Sequence, residues 1–255
     1  MTLSVRDLTV RFGGVTALGG VSFDVRANSI TSLIGPNGAG KTTAFNAITG
    51  YLRATRGQVT FGNQSISGLR PCAIARRGIV RTFQKTSVFP ALSVRDNILT
   101  GMHLRGQAGV WSVLLRRPHV RAEEATLRRE ANAIVDFVGL THRRDAIASA
   151  LPYGELRLVE LAVALAARPS ILLLDEPAAG MTGTEKDVIA RLIRTIRDRG
   201  MTVFLVEHDM RVVMGLSDTV IVLNHGAIIA EGSPAAVQTH PDVIRAYLGT
   251  ARADA

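Results

Sequence analysis

The chain has 255 residues, enough for one large domain or for one core with an insertion. Hydrophobic residues at 47% and charged residues at 20% exclude a largely disordered chain. The net charge of +9 rests on 30 basic residues, of which only Lys41, Lys85 and Lys186 are lysines. Such a balance suits nucleic acid, an anionic membrane face, or simply a solvated arginine-rich exterior.

In chain order, Leu8, Val10 and Phe12, then Val21, Phe23 and Val25, alternate with polar or small residues. Period two predicts half-buried strands around a Gly13-Gly14 turn. Ile30 to Ile34 reads as a short apolar strand, followed by a Gly-rich turn and a helix from Lys41 to Thr49 that ends at Gly50. Val59 and Phe61 resume the alternation before Gly62-Asn63, a hairpin signal. Cys72, beside Pro71 in a short helical stretch, reads as a structural thiol; as the single cysteine it excludes an internal disulfide and fits a reducing compartment. Val80 to Phe83 reads as another strand.

From 93 to 167 the pattern is helical. Ser93 with Asp96 resembles a capping box, and Arg121 to Gly139 is a charged amphipathic helix with Ile134, Phe137 and Val138 on one face. Strand–helix alternation returns with a strand from Ile171 to Leu174. A helix follows from Thr184 to Arg199, with Ile189, Leu192, Ile193 and Ile196 in one stripe, and then a strand from Thr202 to Val206. These elements predict an α/β chain whose parallel sheet is covered on both faces. Residues 1–84 and 161–255 form its core, which includes an antiparallel β portion, and 85–160 is a helical insertion. The first residues carry no basic stretch leading into an apolar core, so no signal peptide is expected. No apolar run approaches the ~20 residues that span a bilayer. The expected location is cytoplasmic.

Residues 35–42 read Gly35-Pro36-Asn37-Gly38-Ala39-Gly40-Lys41-Thr42, a full match to the phosphate-binding pattern G-x-x-x-x-G-K-[ST], with Thr43 behind it. Glycines let backbone amides turn inward around phosphate oxygens, and the following helix adds the positive end of its dipole. Lys41 reaches the β and γ phosphates, and the Thr42 hydroxyl is placed for Mg²⁺. These residues predict nucleoside triphosphate binding. The second half is Ile171-Leu172-Leu173-Leu174-Asp175-Glu176-Pro177. A buried strand delivers Asp175 to its carboxyl end, where open α/β sheets place ligands and where a carboxylate can hold Mg²⁺ through water. Glu176 beside it can take a proton from an attacking water, which points to hydrolysis.

With these motifs in order, the chain resembles the nucleotide-binding subunits of ABC transporters from about Leu3 to Gly249. The resemblance implies a P-loop core of the ABC ATPase type with ATP and Mg²⁺ as ligands. It implies that Gln84 in RTFQ senses the metal and the water, that His208 in LVEHD contacts the γ-phosphate, and that Phe12 lies against adenine. Leu151-Pro152-Tyr153-Gly154-Glu155 stands where the family keeps its signature, usually LSGGQ, a helix N-terminus offered to ATP bound on a partner subunit. Here Pro152 replaces the serine whose hydroxyl would bond the γ-phosphate, and Tyr153 replaces a glycine. A lost hydrogen bond to a charged group is worth roughly 1.5–3 kcal/mol. The resemblance therefore implies an asymmetric pair of sites, the slower one being that completed by Pro152. Thr182 stands where an Asp or Asn is frequent.

RTFQKTSVFPALSVRDNI, LPYG with LVELAVALA, DEPAAGM and the tail from EHDMRVVMGLSD to VIRAYLG are most similar to the ATP-binding subunit of branched-chain amino acid importers. That similarity implies a second ATPase subunit, membrane-spanning permease subunits and a separate binding protein, at the cytoplasmic face of the membrane. Urea, short amides and other hydrophobic amino acids are the alternative cargoes. Nucleic acid is not an expected partner, since ABC ATPases of that kind carry long coiled-coil insertions or tandem cassettes and this chain has 5% aromatic residues to stack on bases.

Overall fold

The structure, a computed structural model, describes residues 1–82, 88–103 and 118–250. Phe83 and Gln84 lie outside the described residues. The chain divides into two compact units, 1–81 with 170–255, and 82–169. The chain re-enters the first unit at Ser170, after a helix that ends at Ala166.

In the first unit, β1 (Leu3–Phe12) and β2 (Val15–Val25) are antiparallel, and β4 (Arg56–Phe61) and β5 (Gln64–Ser65) extend the sheet in the order β2-β1-β4-β5. Strict alternation would carry Leu3 and Val5 inward but turn Leu8 outward. A register shift between Val5 and Leu8, at Asp7 with φ 50°, absorbs one residue and returns Leu8 and Val10 to the buried face.

The second sheet runs β10-β9-β3-β8-β7-β6, with β3 at Ile30–Ile34, β6 at Ile79–Arg81, β7 at Ile171–Asp175, β8 at Thr202–Val206, β9 at Thr219–Asn224 and β10 at Ala227–Gly232. All neighbours are parallel except β10, which returns antiparallel on β9. Every residue of β3, β7 and β8 is buried, the signature of strands covered on both faces. Helix α1 (Lys41–Ile48) lays Phe45 against Phe204 of β8 at 4.9 Å between ring centroids, and Phe23 of β2 meets the same ring at 5.7 Å, so both sheets share one core. Cys72, expected to be a packing residue, is exposed on α2 (Pro71–Arg76), whose inward side chain is Ile74.

The second unit is helical where described. Its helices are α3 (Val94–Gly101), α4 (Pro118–Phe137) and α5 (Tyr153–Ala166). Ser93 caps α3 by accepting the Asp96 N–H at 3.0 Å, as its spacing predicts. Gly101 lets α3 approach α5 closely, since a Cβ there would lie 2.2 Å from the Val163 carbonyl oxygen. The buried stripe of α4 runs through Ala131 and Val135 to Val138 beyond its end. Of the face expected from its pattern, Val138 is buried and Ile134 and Phe137 are half-buried. On α5, Arg157 and Glu160 interrupt the apolar run but pair at 2.7 Å while buried.

Helix α6 (Gly183–Asp198) buries Ile189, Leu192, Ile193 and Ile196. It begins one residue earlier than its pattern suggests, because Thr182 and Glu185 form a capping box: the Thr182 oxygen accepts the Glu185 N–H, and the Glu185 carboxylate accepts the Thr182 N–H at 2.8 Å. The Thr182 N–H, with the Thr182 hydroxyl donating to the same carboxylate oxygen at 2.8 Å, holds the Glu185 carboxyl below its ordinary value. Thr182→Ala should cost about 1 kcal/mol. Urea unfolding measures it, and an unchanged midpoint would contradict the cap.

Candidate active site

The parallel sheet brings the three motif-bearing strand ends to one edge. Val206, the last residue of β8, pairs with Leu33 of β3 and with Asp175 of β7. Gly35, Glu176 and Glu207 therefore leave their strands beside one another, at the carboxyl ends where α/β sheets bind ligands.

The glycine loop between β3 and α1 is tightly built. A Cβ at Gly35 would lie 2.0 Å from the Leu223 carbonyl oxygen, so only glycine fits there, and Gly40 caps α1 with φ 106°. Lys41 is buried, and its ammonium donates to the carbonyls of Gly35 at 2.7 Å and Pro36 at 2.9 Å. Burial pulls its pKa below the ordinary lysine value, opposed by the negative charge of Glu176. Asn37, Gly38 and Thr42 are exposed, Ala39 is buried and Thr43 is half-buried. Phe12, at the end of β1, is 52% exposed.

Asp175 is buried at the end of β7, and its Oδ2 meets Nη2 of Arg81 at 2.6 Å. Arg81 also donates to Asn46 Oδ1 at 2.7 Å and Thr49 Oγ1 at 3.3 Å on α1, and lies 5.6 Å from the centre of the Phe45 ring. One arginine thus ties the acidic strand to the helix behind the glycine loop. Composition and motif spacing did not single it out; the available signal was a lone charge ending the short apolar run Ile79-Val80.

Glu176 adopts φ 51°, a left-handed conformation that costs a non-glycine residue energy and clusters at functional sites. Its N–H donates to the Val206 carbonyl at 2.9 Å, and its Oε1 lies 2.6 Å from Nε2 of His208. Asp209 caps α7 (Met210–Leu216) through the Arg211 and Val212 amides. It also receives Lys186 Nζ at 2.7 Å, which holds its carboxyl below the usual range. Glu207, which sequence reasoning passed over, is buried and accepts backbone N–H groups from both loops. A carboxylate hydrogen-bonded to an imidazole at the edge of a phosphate loop has the parts to orient and deprotonate a water.

In the second unit, Leu151 is buried, Pro152 is the N-cap of α5 and makes no side-chain cap bond, and Gly154 is buried in the first turn. Tyr153 is exposed; its Oη accepts the Arg157 Nε–H at 2.9 Å and its ring lies 5.0 Å from that guanidinium. Glu155 pairs with Arg143 at 3.0 Å. Gln84 lies outside the described residues.

The sequence pattern of the ABC transporter family matches residues 18–179. The chain belongs to the ABC transporter ATP-binding family. The pattern of the branched-chain amino acid ATP-binding cassette transporter matches residues 227–253 of this ABC ATPase. The high-affinity branched-chain amino acid transport ATP-binding protein LivG of Escherichia coli K12 is 42% identical over 250 residues, covering 98% of each chain. Its counterpart BraF of Pseudomonas aeruginosa is 41% identical over the same length and coverage. Among solved structures, an ATP-binding cassette of an ABC transporter in its ADP conformation superposes with a TM-score of 0.86 at 33% identity, covering 98% of this chain and 99% of that one. A nucleotide-free cassette gives 0.84 at 32% identity, with 97% and 99% covered. No helix among the described residues is long and apolar enough to cross a membrane.

Replacing Arg81 with Met removes the buried cation beside Asp175, at an expected loss of roughly 3–5 kcal/mol in stability. Adding Asp175→Asn to that variant should recover part of it. Chemical denaturation of the two variants checks this; equal stabilities would show that the pair is not the source.

Proposed function

We propose that this ABC ATPase powers an importer of branched-chain amino acids from the cytoplasmic face of the membrane. It would act as one half of a heterodimer of ATPase subunits, with membrane-spanning permeases and a separate binding protein. The carrying observation is the 2.6 Å contact between Glu176 and His208, set by strand pairing beside the glycine loop. The likeness to LivG and BraF and the match over 227–253 favour amino acids over urea or short amides as cargo.

In this reading ATP lies along Gly35–Thr43 with its adenine against exposed Phe12. Lys41, already desolvated, exchanges its two carbonyl partners for β- and γ-phosphate oxygens. Mg²⁺ suits the donor set, a hydroxyl from Thr42 with the carboxylate of Asp175 and the amide of Gln84, because oxygen ligands are what this hard cation takes. When bound it neutralises phosphate charge. Arg81 holds Oδ2 of Asp175 and so fixes the carboxylate plane. Glu176 takes a proton from water as the water oxygen attacks the γ-phosphorus, and the bond from phosphorus to the β–γ bridging oxygen breaks, leaving ADP and phosphate. His208 orients the Glu176 carboxylate and meets the γ-phosphate.

Leu151–Glu155 would complete the partner's site through backbone amides and the dipole of α5 alone, since Pro152 brings no hydroxyl. Hydrolysis should therefore concentrate at the site built on this chain's glycine loop when the partner brings an intact signature. Glu176→Gln in this chain alone should remove most ATP turnover of the assembled transporter, by about 10²-fold or more. Unchanged turnover would overturn the reading.

A further inference from the structure

Glu207 is 3% exposed, and its two oxygens are divided between two loops. Oε1 accepts the Ala178 N–H at 2.8 Å, from the turn that carries Glu176. Oε2 accepts the His208 N–H at 2.9 Å and the Asp209 N–H at 3.3 Å, from the loop that carries the histidine. Among the described residues, the hydrogen-bond partners of this buried carboxylate are those three amides. With the Glu176–His208 contact they close a ring: base, turn, Ala178 amide, Glu207, His208 and back to the base.

Two further facts make the ring mechanical. The left-handed backbone at Glu176 is a conformation that persists only where its surroundings over-determine it, and the Ala178 amide held by Glu207 lies two residues on. The far side of the histidine loop is anchored independently, by Asp209 on α7 and Lys186. Beyond the last rung of the ladder, Glu176 N–H to Val206, Glu207 joins the anchored loop to the strained turn.

We propose that Glu207 is a positioning residue of the hydrolytic site, clamping the Glu176 turn to the His208 loop so that base and imidazole are presented as one unit. This rests on the roles given to Glu176 and His208 above. Glutamine is isosteric, but its NH₂ cannot accept, so one of the two loops loses its hold. Aspartate keeps the charge but is a methylene too short to reach both loops.

The test compares the wild type, Glu207→Gln, Glu207→Asp and Glu176→Gln in the assembled transporter, reading kcat and KM for ATP and the equilibrium affinity for a fluorescent ATP analogue. Both Glu207 variants should lose about tenfold to a hundredfold in kcat, the usual effect of a small misplacement of reacting groups. Nucleotide affinity should stay within about twofold of wild type, since the phosphate loop is untouched. Wild-type kcat in the Glu207 variants, with Glu176→Gln inactive, overturns the clamp; so does a parallel loss of affinity and kcat, which marks a merely structural role. If Glu176→Gln itself turns over normally, the reading of the site fails instead. If Glu207→Gln does not fold, Glu207→Asp decides the matter by the same criteria. Amide hydrogen exchange in the unmodified chain gives a second measurement: the Ala178 and His208 amides should be protected together, and fast exchange at either overturns the clamp.

Discussion

Val206 sits between Leu33 of β3 and Asp175 of β7, and that pairing decides which backbone atoms emerge together at the carboxyl edge of the sheet. Because side chains alternate along a strand, a slip of one residue in the β7–β8 ladder would turn Asp175 to the opposite face and part Glu176 from His208, and one in the β3–β8 ladder would displace the glycine loop from both. What pins the register is apolar: all residues of β3, β7 and β8 are buried, and Phe204 of β8 is gripped by Phe45 and Phe23. The chemistry at the edge is therefore positioned by packing well away from it.

The edge concentrates buried charge, which is costly unless each group is compensated locally. The compensation differs at each position. Lys41 uses loop carbonyls, Asp175 uses a guanidinium, and Glu207 uses backbone amides. In the proposed function Lys41 exchanges its neutral carbonyl partners for phosphate oxygens, whereas Asp175 and Glu207 keep the guanidinium and the backbone amides that hold them.

Much of the site was legible because its motifs are contiguous: glycine loop, acidic strand end and histidine each occupy a few adjacent residues in a recognisable order. Strand and helix types also followed from periodicity, as the stripe of α6 shows. Residues acting across long sequence separations were not legible. Arg81 reaches Asp175, and Glu207 reaches Ala178, only because β6, β7 and β8 are neighbours in the sheet. Local competition misled in other places. At Thr182 a family preference draws attention away from the T-x-x-E spacing that specifies a cap, and of the α4 face through Ile134, Phe137 and Val138 only Val138 is buried, together with the smaller Ala131 and Val135.

The glycine loop and the Glu176–His208 contact lie on one unit and the Leu151–Glu155 helix start on the other, with Pro152 as its N-cap. In the proposed function such a chain needs a companion to cover the triphosphate. The most direct measurement is sedimentation of the purified chain with an ABC ATPase bearing an intact signature, in ATP and Mg²⁺, with phosphate release followed in parallel. The account predicts a dimer that forms only with ATP and dissociates as phosphate appears. Monomers throughout with no phosphate released would contradict it.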